Sequence, residues 1–312
     1  MRRTVVLVAL VAFGAFSMAV GAVQQAPAGA QAPRVVEVEK LKDNFFVLRG
    51  GGGNSGVFIT ANGVVVVDTK NPGWGQPLLD KIKTLTDKPI TTIINTHTHG
   101  DHVSGNVEFP TTVDIVVHEN TKKNMEEMRA VTGITPPAGG PPPNIFKANN
   151  GKGMAKRTFK DTMTIGSGNE RIELRYFGRG HTDGDAWVFF PALRILHAGD
   201  IFSGKNLPLL DANNGGSGVL IGDTLAKAAD SAAKEIDTII TGHSTQMTVA
   251  DLRDYAQFNR DFLAAVREGK KAGKSVDDIA NSWAMPAKYT GYTAPMPARL
   301  KSNVQVVYDE IK

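Results

Sequence analysis

The stretch Asn95-Thr-His-Thr-His-Gly-Asp-His-Val-Ser-Gly-Asn106 places His97, His99, Asp101 and His102 within six positions, in a chain of 312 residues that has only seven histidines. A polar surface loop has no need of that concentration. Imidazole and carboxylate are the nitrogen and oxygen donors of divalent metal sites, and the spacing suits such a site. His97 and His99, two apart on extended backbone, point to the same side. Gly100 lets the chain bend, so the adjacent Asp101 and His102 aim at a second point. One short loop can thus serve two ions.

Three further donors stand where strands are expected to end. His181 lies in Phe177-Gly-Arg-Gly-His-Thr-Asp-Gly-Asp185, Asp200 in Ile195-Leu-His-Ala-Gly-Asp200, and His243 in Ile239-Ile-Thr-Gly-His-Ser244. Each alone reads as a solvated loop histidine or a turn-forming aspartate. With the loop they make seven donors. A catalytic zinc takes about three protein ligands and keeps a position open. Seven therefore fits two ions, each with three ligands, plus one carboxylate shared between them. The chain has no cysteine, so the donors are nitrogen and oxygen only. That set suits two Zn2+, with Fe or Mn as alternatives. Two cations lower the pKa of a shared water towards neutrality and polarise a carbonyl, which is the chemistry of hydrolysis. Asp101, beside that water, is the candidate to orient it or shuttle its proton. His118 and His197 read as strand residues rather than ligands. Ser244 lacks the G-x-S-x-G surroundings of a serine nucleophile.

The donors need rigid mounts. Runs of β-branched and aromatic residues predict strands over 35–39, 45–48, 57–60 and 64–67, with Asn62-Gly63 as a turn before the last. Leu78, Leu79, Ile82 and Leu85 stand at helical spacing, which predicts a helix over 75–87 closed by Pro89. The next strand, 90–94, ends at the histidine cluster. Further strands are predicted over 113–117, 161–165, 171–177, 185–190, 193–197 and 237–240, and helices over 119–131, 222–235, 249–272 and 297–311. Asp68 follows a strand, as do the other polar clusters, and loops at strand ends carry chemistry. The mixture of hairpin-joined strands and interleaved helices indicates sheets covered by helices, not one parallel sheet. Residues 132–153, rich in Pro, Gly and Asn, form a long loop inside the domain. It is expected to be a flap over the metals. Its apolar pair, Ile145 and Phe146, either contacts substrate or pins the loop to the surface.

The amino-terminal residues are set apart from the rest. Met1-Arg2-Arg3 is followed by an almost wholly apolar run to Val23 and by Ala28-Gly29-Ala30, an A-x-A cleavage pattern. Residues 1–30 read as a secretory signal peptide, which makes the protein periplasmic or secreted. An uncleaved anchor is the alternative, since the run approaches the ~20 residues that span a bilayer. Removing Arg2 and Arg3 lowers the net charge from +4 to +2. There is no dense basic stripe, which argues against a nucleic-acid partner. The expected partner is a small-molecule substrate, with no membrane partner beyond the export signal. Residues 34–312 read as a single hydrolase domain with a C-terminal helical extension.

In these motifs and their order the chain resembles the metallo-β-lactamase-fold hydrolase superfamily, over about residues 35 to 243. The matching residues are Asp68, the His97-x-His99-x-Asp101-His102 loop, His181 in Gly-His-Thr, Asp200 in Ala-Gly-Asp and His243 in Thr-Gly-His-Ser. The resemblance implies an α/β fold, a four-layer αββα sandwich of two mixed sheets with helices outside. It also implies roles: His97, His99 and His181 on the first metal, Asp101, His102 and His243 on the second, and Asp200 bridging. Asp68 would hold the histidine loop by hydrogen bonds from outside. Residues 180–191 resemble the class B1 β-lactamases, but those enzymes carry cysteine where this chain has Asp200. Aspartate there is similar to the glyoxalase II-like thioesterases and lactonases. Lys205 lies two residues beyond the place of the B1 lysine that grips a substrate carboxylate, and is the candidate for that contact. The implied activity is hydrolysis of an ester, thioester, lactone or β-lactam. A nucleic-acid-processing member and a non-catalytic binding protein on the same scaffold are the rival readings.

Overall fold

Two sheets meet face to face. This computed structural model describes residues 34–136, 138, 140 and 143–312; the segment read as a signal peptide lies outside the described residues. In the first sheet, β1 (Glu37–Lys42), β2 (Phe45–Arg49), β3 (Ser55–Ile59), β4 (Val64–Val67), β5 (Ile90–Ile94), β6 (Asp114–His118) and β7 (Arg157–Phe159) neighbour one another in chain order. Pairing is antiparallel from β1 to β4 and parallel from β4 to β7. The second sheet comprises β8 (Thr162–Ile165), β9 (Ile172–Arg175), β10 (Trp187–Phe190), β11 (Ile195–Gly199) and β12 (Thr238–Thr241). Only β11 and β12 pair in parallel there.

The strand sequences explain the layering. Successive side chains on a strand face opposite ways, and β4 is apolar on both faces. Val65 and Val67 join the core between the sheets, with Phe45, Phe58, Val188 and Phe190. Val64 and Val66 join a second core under α1 (Gly75–Lys83), with Leu78, Leu79 and Ile82. β10 divides in the same way: Val188 and Phe190 point between the sheets, while Trp187 and Phe189 enter a third core. That core is covered by α5 (Ile221–Ala232), α6 (Val249–Lys271), α7 (Val276–Ser282) and α8 (Pro297–Glu310). A strand apolar on both faces is what a sheet covered on both sides requires. The order of layers is therefore helix, sheet, sheet, helix, as the resemblance implied. Phe190 sits edge-on to Phe45 at 4.7 Å and to Phe58 at 5.4 Å, tying the two sheets together.

The structure departs from expectation in several places. The turn between β3 and β4 spans four residues, 60–63, closed by Thr60 N donating to Gly63 O at 2.8 Å. The helix predicted over 119–131 stops early: α3 is Glu119–Glu127, and Met128 is left-handed at φ 49°. The long loop holds a short helix, α4 (Ile145–Ala148), and β7 follows it; both are too short for a periodic signal. The helices after residue 249 are not an appended extension. Leu252, Tyr255, Phe258, Leu300, Val304 and Val307 share the buried core of the second sheet. Among the described residues, no helix is long and apolar enough to cross a membrane.

Candidate metal centre

The donors gather where parallel strands end. Asp68 follows β4, and His97 and His99 follow β5, leading into α2 (Gly100–Val103), which carries Asp101 and His102. Asp200 follows β11 and His243 lies just past β12. His181 comes from the loop between β9 and β10, tied to the histidine loop by Ala186 N donating to Thr96 O at 2.8 Å. All seven side chains come together, in two groups: His97, His99, His181 and Asp200, and Asp101, His102 and His243. Within each group the facing donor atoms lie within 4.8 Å of one another. Asp200 also reaches the second group, with Oδ2 3.2 Å from His243 Nε2 and Oδ1 3.1 Å from His102 Nε2. Close backbone packing makes this possible: a Cβ at Gly242 would overlap the Asp200 carboxylate, and one at Gly53 would overlap the His102 ring.

Hydrogen bonds from behind decide which nitrogen each ring presents. Asp68 is buried at φ 63°, an uncommon conformation for a residue other than glycine. Its Oδ1 accepts from Thr96 N at 2.8 Å; its Oδ2 accepts from Thr96 Oγ1 and His102 Nδ1, each at 2.7 Å. The Thr96 hydroxyl proton is thereby used, so His97 Nδ1, 2.9 Å away, must donate to that oxygen. His97 and His102 both turn Nε2 inward. His181 donates Nδ1 to Leu209 O at 2.7 Å and also presents Nε2. His99 is the exception: its Nε2 meets Asp211 Oδ2 at 2.8 Å, and it presents Nδ1, 3.1 Å from His181 Nε2. Such backing partners fix tautomer and ring angle in metal sites.

The electrostatics favour a cation. Burial and the neighbouring imidazoles hold His97 well below the usual histidine range, and His181 falls to about 4, so both rings keep their lone pairs at neutral pH. Burial opposes charge on His102 and His243 too, yet the carboxylates around them prevail. His102 is raised well above its usual range by Asp200, Asp101 and Asp68, and His243 rises to about 9. Asp101, despite burial, is drawn down to about 2 by His102 and His243. Two atoms test whether metal fits. His97 Nε2 is buried with no hydrogen-bond partner. Asp200 Oδ1, though close to His102, is likewise without one. Orphaned buried polar atoms are costly, and a cation held between these donors removes the cost. The all-nitrogen-and-oxygen donor set fits divalent ions.

The family model described as the metallo-beta-lactamase superfamily matches residues 48–243, which include every one of these donors. The chain belongs to the metallo-beta-lactamase superfamily. Among curated relatives, a type 2 metallo-beta-lactamase of Elizabethkingia meningoseptica is 27% identical over 188 residues, covering 55% of this chain and 64% of that relative. This chain thus spans under two thirds of that relative's length. A metallo-beta-lactamase solved from Pontibacter korlensis aligns with TM-score 0.57 at 20% identity, over 72% of this chain and 99% of that one. A sec-alkylsulfatase solved from a Pseudomonas species aligns with TM-score 0.64 at 14% identity, over 88% of this chain and 50% of that one. The shared fold thus reaches beyond the segment matched by the superfamily model.

Three expected substrate contacts of this superfamily member are corrected. Phe146 is buried at 1% exposure among Val107, Phe109, Met125 and Ala155, with Ile145 packed against the same core. The apolar pair anchors the loop and does not line the cavity over the donors. Lys205 is committed to Asp251 at 2.7 Å. His118 caps α3, with Nδ1 accepting from Asn120 N, and donates Nε2 to Lys160 O at 2.8 Å. His197 is a buried strand residue whose Nε2 meets Asn54 O at 3.1 Å. Sequence reasoning missed Asp211 and Thr96. Asp211 precedes Ala-Asn-Asn-Gly-Gly and reads as a turn; no spacing links it to His99. Thr96 lies within the motif, but its role appears only once Asp68 is brought beneath it.

Proposed function

We propose that this member of the superfamily is an exported dinuclear zinc hydrolase of carbonyl substrates, acting on an ester, thioester or lactone in preference to a β-lactam. The observation that carries the reading is the set of seven inward-facing donors, with His97 Nε2 and Asp200 Oδ1 buried and unpartnered. His97, His99 and His181 would hold one ion and Asp101, His102 and His243 the other, with Asp200 between. A bound pair of divalent ions supplies Lewis acidity, polarising the carbonyl and acidifying water. The chain supplies the rest. Asp101, ionised at neutral pH, accepts a hydrogen bond from the attacking water and directs its lone pair. Asp68 and Asp211 keep the rings behind the donors from turning. Leu207, Leu209 and Pro295 line the cavity and give the reacting group an apolar wall. Aspartate at 200 in place of a thiolate favours the ester and lactone classes. Arg2-Arg3, the apolar run and Ala28-Gly29-Ala30 support export.

The test is metal analysis of protein grown with ample zinc, together with turnover of chromogenic ester, thioester, lactone and lactam substrates. About two ions per chain and chelator-sensitive turnover of one of the first three classes are expected. One ion or fewer, or a lactam turned over best, overturns the corresponding part. Sequencing the amino terminus of exported protein tests the cleavage site.

A further inference from the structure

The cavity over the donors, ≈ 400 Å³, has a roof of which one side comes from outside the segment matched by the superfamily model. Thr293 to Met296 and Arg299 form one side, and Ile134 of the long loop forms another. The roof is fixed in place. Thr293 N donates to Lys205 O at 2.9 Å, and Asn303 Nδ2 of α8 donates to Pro208 O at 2.7 Å. Gly133 lies against Ser302 of α8 so closely that a Cβ there would overlap its side chain. The two halves of the roof therefore abut.

Two properties of this roof suit it to a ligand. Ile134 and Met296 are among the few large apolar side chains left exposed, at 50% and 68%, and both face this one cavity. Arg299 is the single Lys or Arg lining it, and among the described residues its guanidinium has no ion-pair or hydrogen-bond partner. It is half-buried in the first turn of α8, and burial lowers its pKa from the usual value. The guanidinium is half-buried and its nitrogens are not among the buried unpartnered atoms, so its fork of donors stays open to an anion that enters the cavity. Lys205, which would have met a carboxylate, is spent on Asp251.

We propose that Arg299 receives an ionised carboxylate of the substrate while Ile134 and Met296 cover its apolar body, so that the natural substrate is an amphiphilic, carboxylate-bearing ester or lactone. The substrate class rests on the hydrolase reading above; the anion site does not. A rigid helical mount suits the role, because Arg299 is held over the donors before any ligand arrives.

The experiment compares zinc-loaded wild type with Arg299→Gln, Arg299→Lys and Met296→Glu. The substrates are 4-nitrophenyl octanoate, which is neutral, and mono-4-nitrophenyl suberate, which has a distal carboxylate on a chain of the same length. The ratio of kcat/KM, anionic over neutral, should fall roughly ten- to a hundredfold in Arg299→Gln, chiefly through KM, and less in Arg299→Lys. Met296→Glu, on an exposed side chain, should lower the same ratio by like-charge repulsion. Calorimetric binding of octanoate, with octanamide as its neutral match, gives a reading that needs no turnover: octanoate should bind wild type more tightly than Arg299→Gln. An ester ratio and an octanoate affinity both within about twofold of wild type in Arg299→Gln would overturn the anion site. Weaker octanoate binding in Arg299→Gln without turnover of either ester by wild type would keep the anion site and overturn the ester part of the substrate class. If Arg299→Gln fails to fold, Met296→Glu decides: an unchanged ratio and unchanged octanoate affinity overturn the proposal.

Discussion

At the scale of single residues, the centre is governed by what stands behind each donor. Asp68 touches no candidate ion position, yet it orders Thr96, and through Thr96 and its own Oδ2 it sets the tautomers of His97 and His102. Asp68→Asn should keep the fold and weaken zinc affinity about ten- to a hundredfold, as read by chelator competition. Asp200→Ala and His197→Ala, three positions apart, should separate cleanly. Asp200→Ala should abolish turnover. His197→Ala should retain zinc and turnover but lose about 1–3 kcal/mol of stability, because Asn54 O is left without its donor. Protons compete with metal here, and the sign follows from the raised groups. His243, with a pKa of about 9, and His102, raised well above its usual range by the carboxylates around it, are protonated in the metal-free chain at pH 7.5. Only their neutral forms bind, so zinc uptake at that pH should release about one to two protons. Affinity should rise with pH through the range in which these imidazoles lose their protons, about 9 for His243. Calorimetry in two buffers of different ionisation enthalpy checks the count.

At the scale of elements, the long loop behaves differently from a free flap. Phe146→Ala should cost about 3–5 kcal/mol of stability by opening a cavity in the core beneath the first sheet, with little change in KM. Deleting 138–151 removes that anchor and should lower Tm as well, whereas a deletion that spares α4 should not. The strands and their donors are legible in the amino-acid sequence. Runs such as Val64–Val67 declare a strand buried on both faces, and His97-x-His99-x-Asp101-His102 has few readings other than a metal loop. What is not legible has no local signature. Phe146 reads as an isolated loop hydrophobe because its partners, Val107 and Met125, are remote in sequence. Arg299 reads as an ordinary surface residue of an amphipathic helix, since only the docking of α8 against the 205–211 segment brings it over the donors. Contacts made by packing of distant segments leave no periodicity to read.

At the scale of the whole molecule, the donors belong to both sheets, so an ion held by them joins the two halves of the sandwich. Metal should therefore report in global stability. At a hundredfold excess over Kd, a bound ion adds about 2.7 kcal/mol. For a domain of this size that is a rise in Tm of roughly 5 °C, lost on chelation and recovered with zinc, as differential scanning calorimetry would record. The carboxylate of Asp211 has a consequence of another kind. One oxygen backs His99, and the other accepts from Thr132 N at 3.0 Å, 79 residues away in the chain. The loop that begins at 132 and the turn at 211 are thus a single unit of inheritance. A chimaera that borrows the loop from a relative while keeping its own turn, or the reverse, trades substrate preference against metal retention, and only an exchange of both segments together leaves the two free to vary apart.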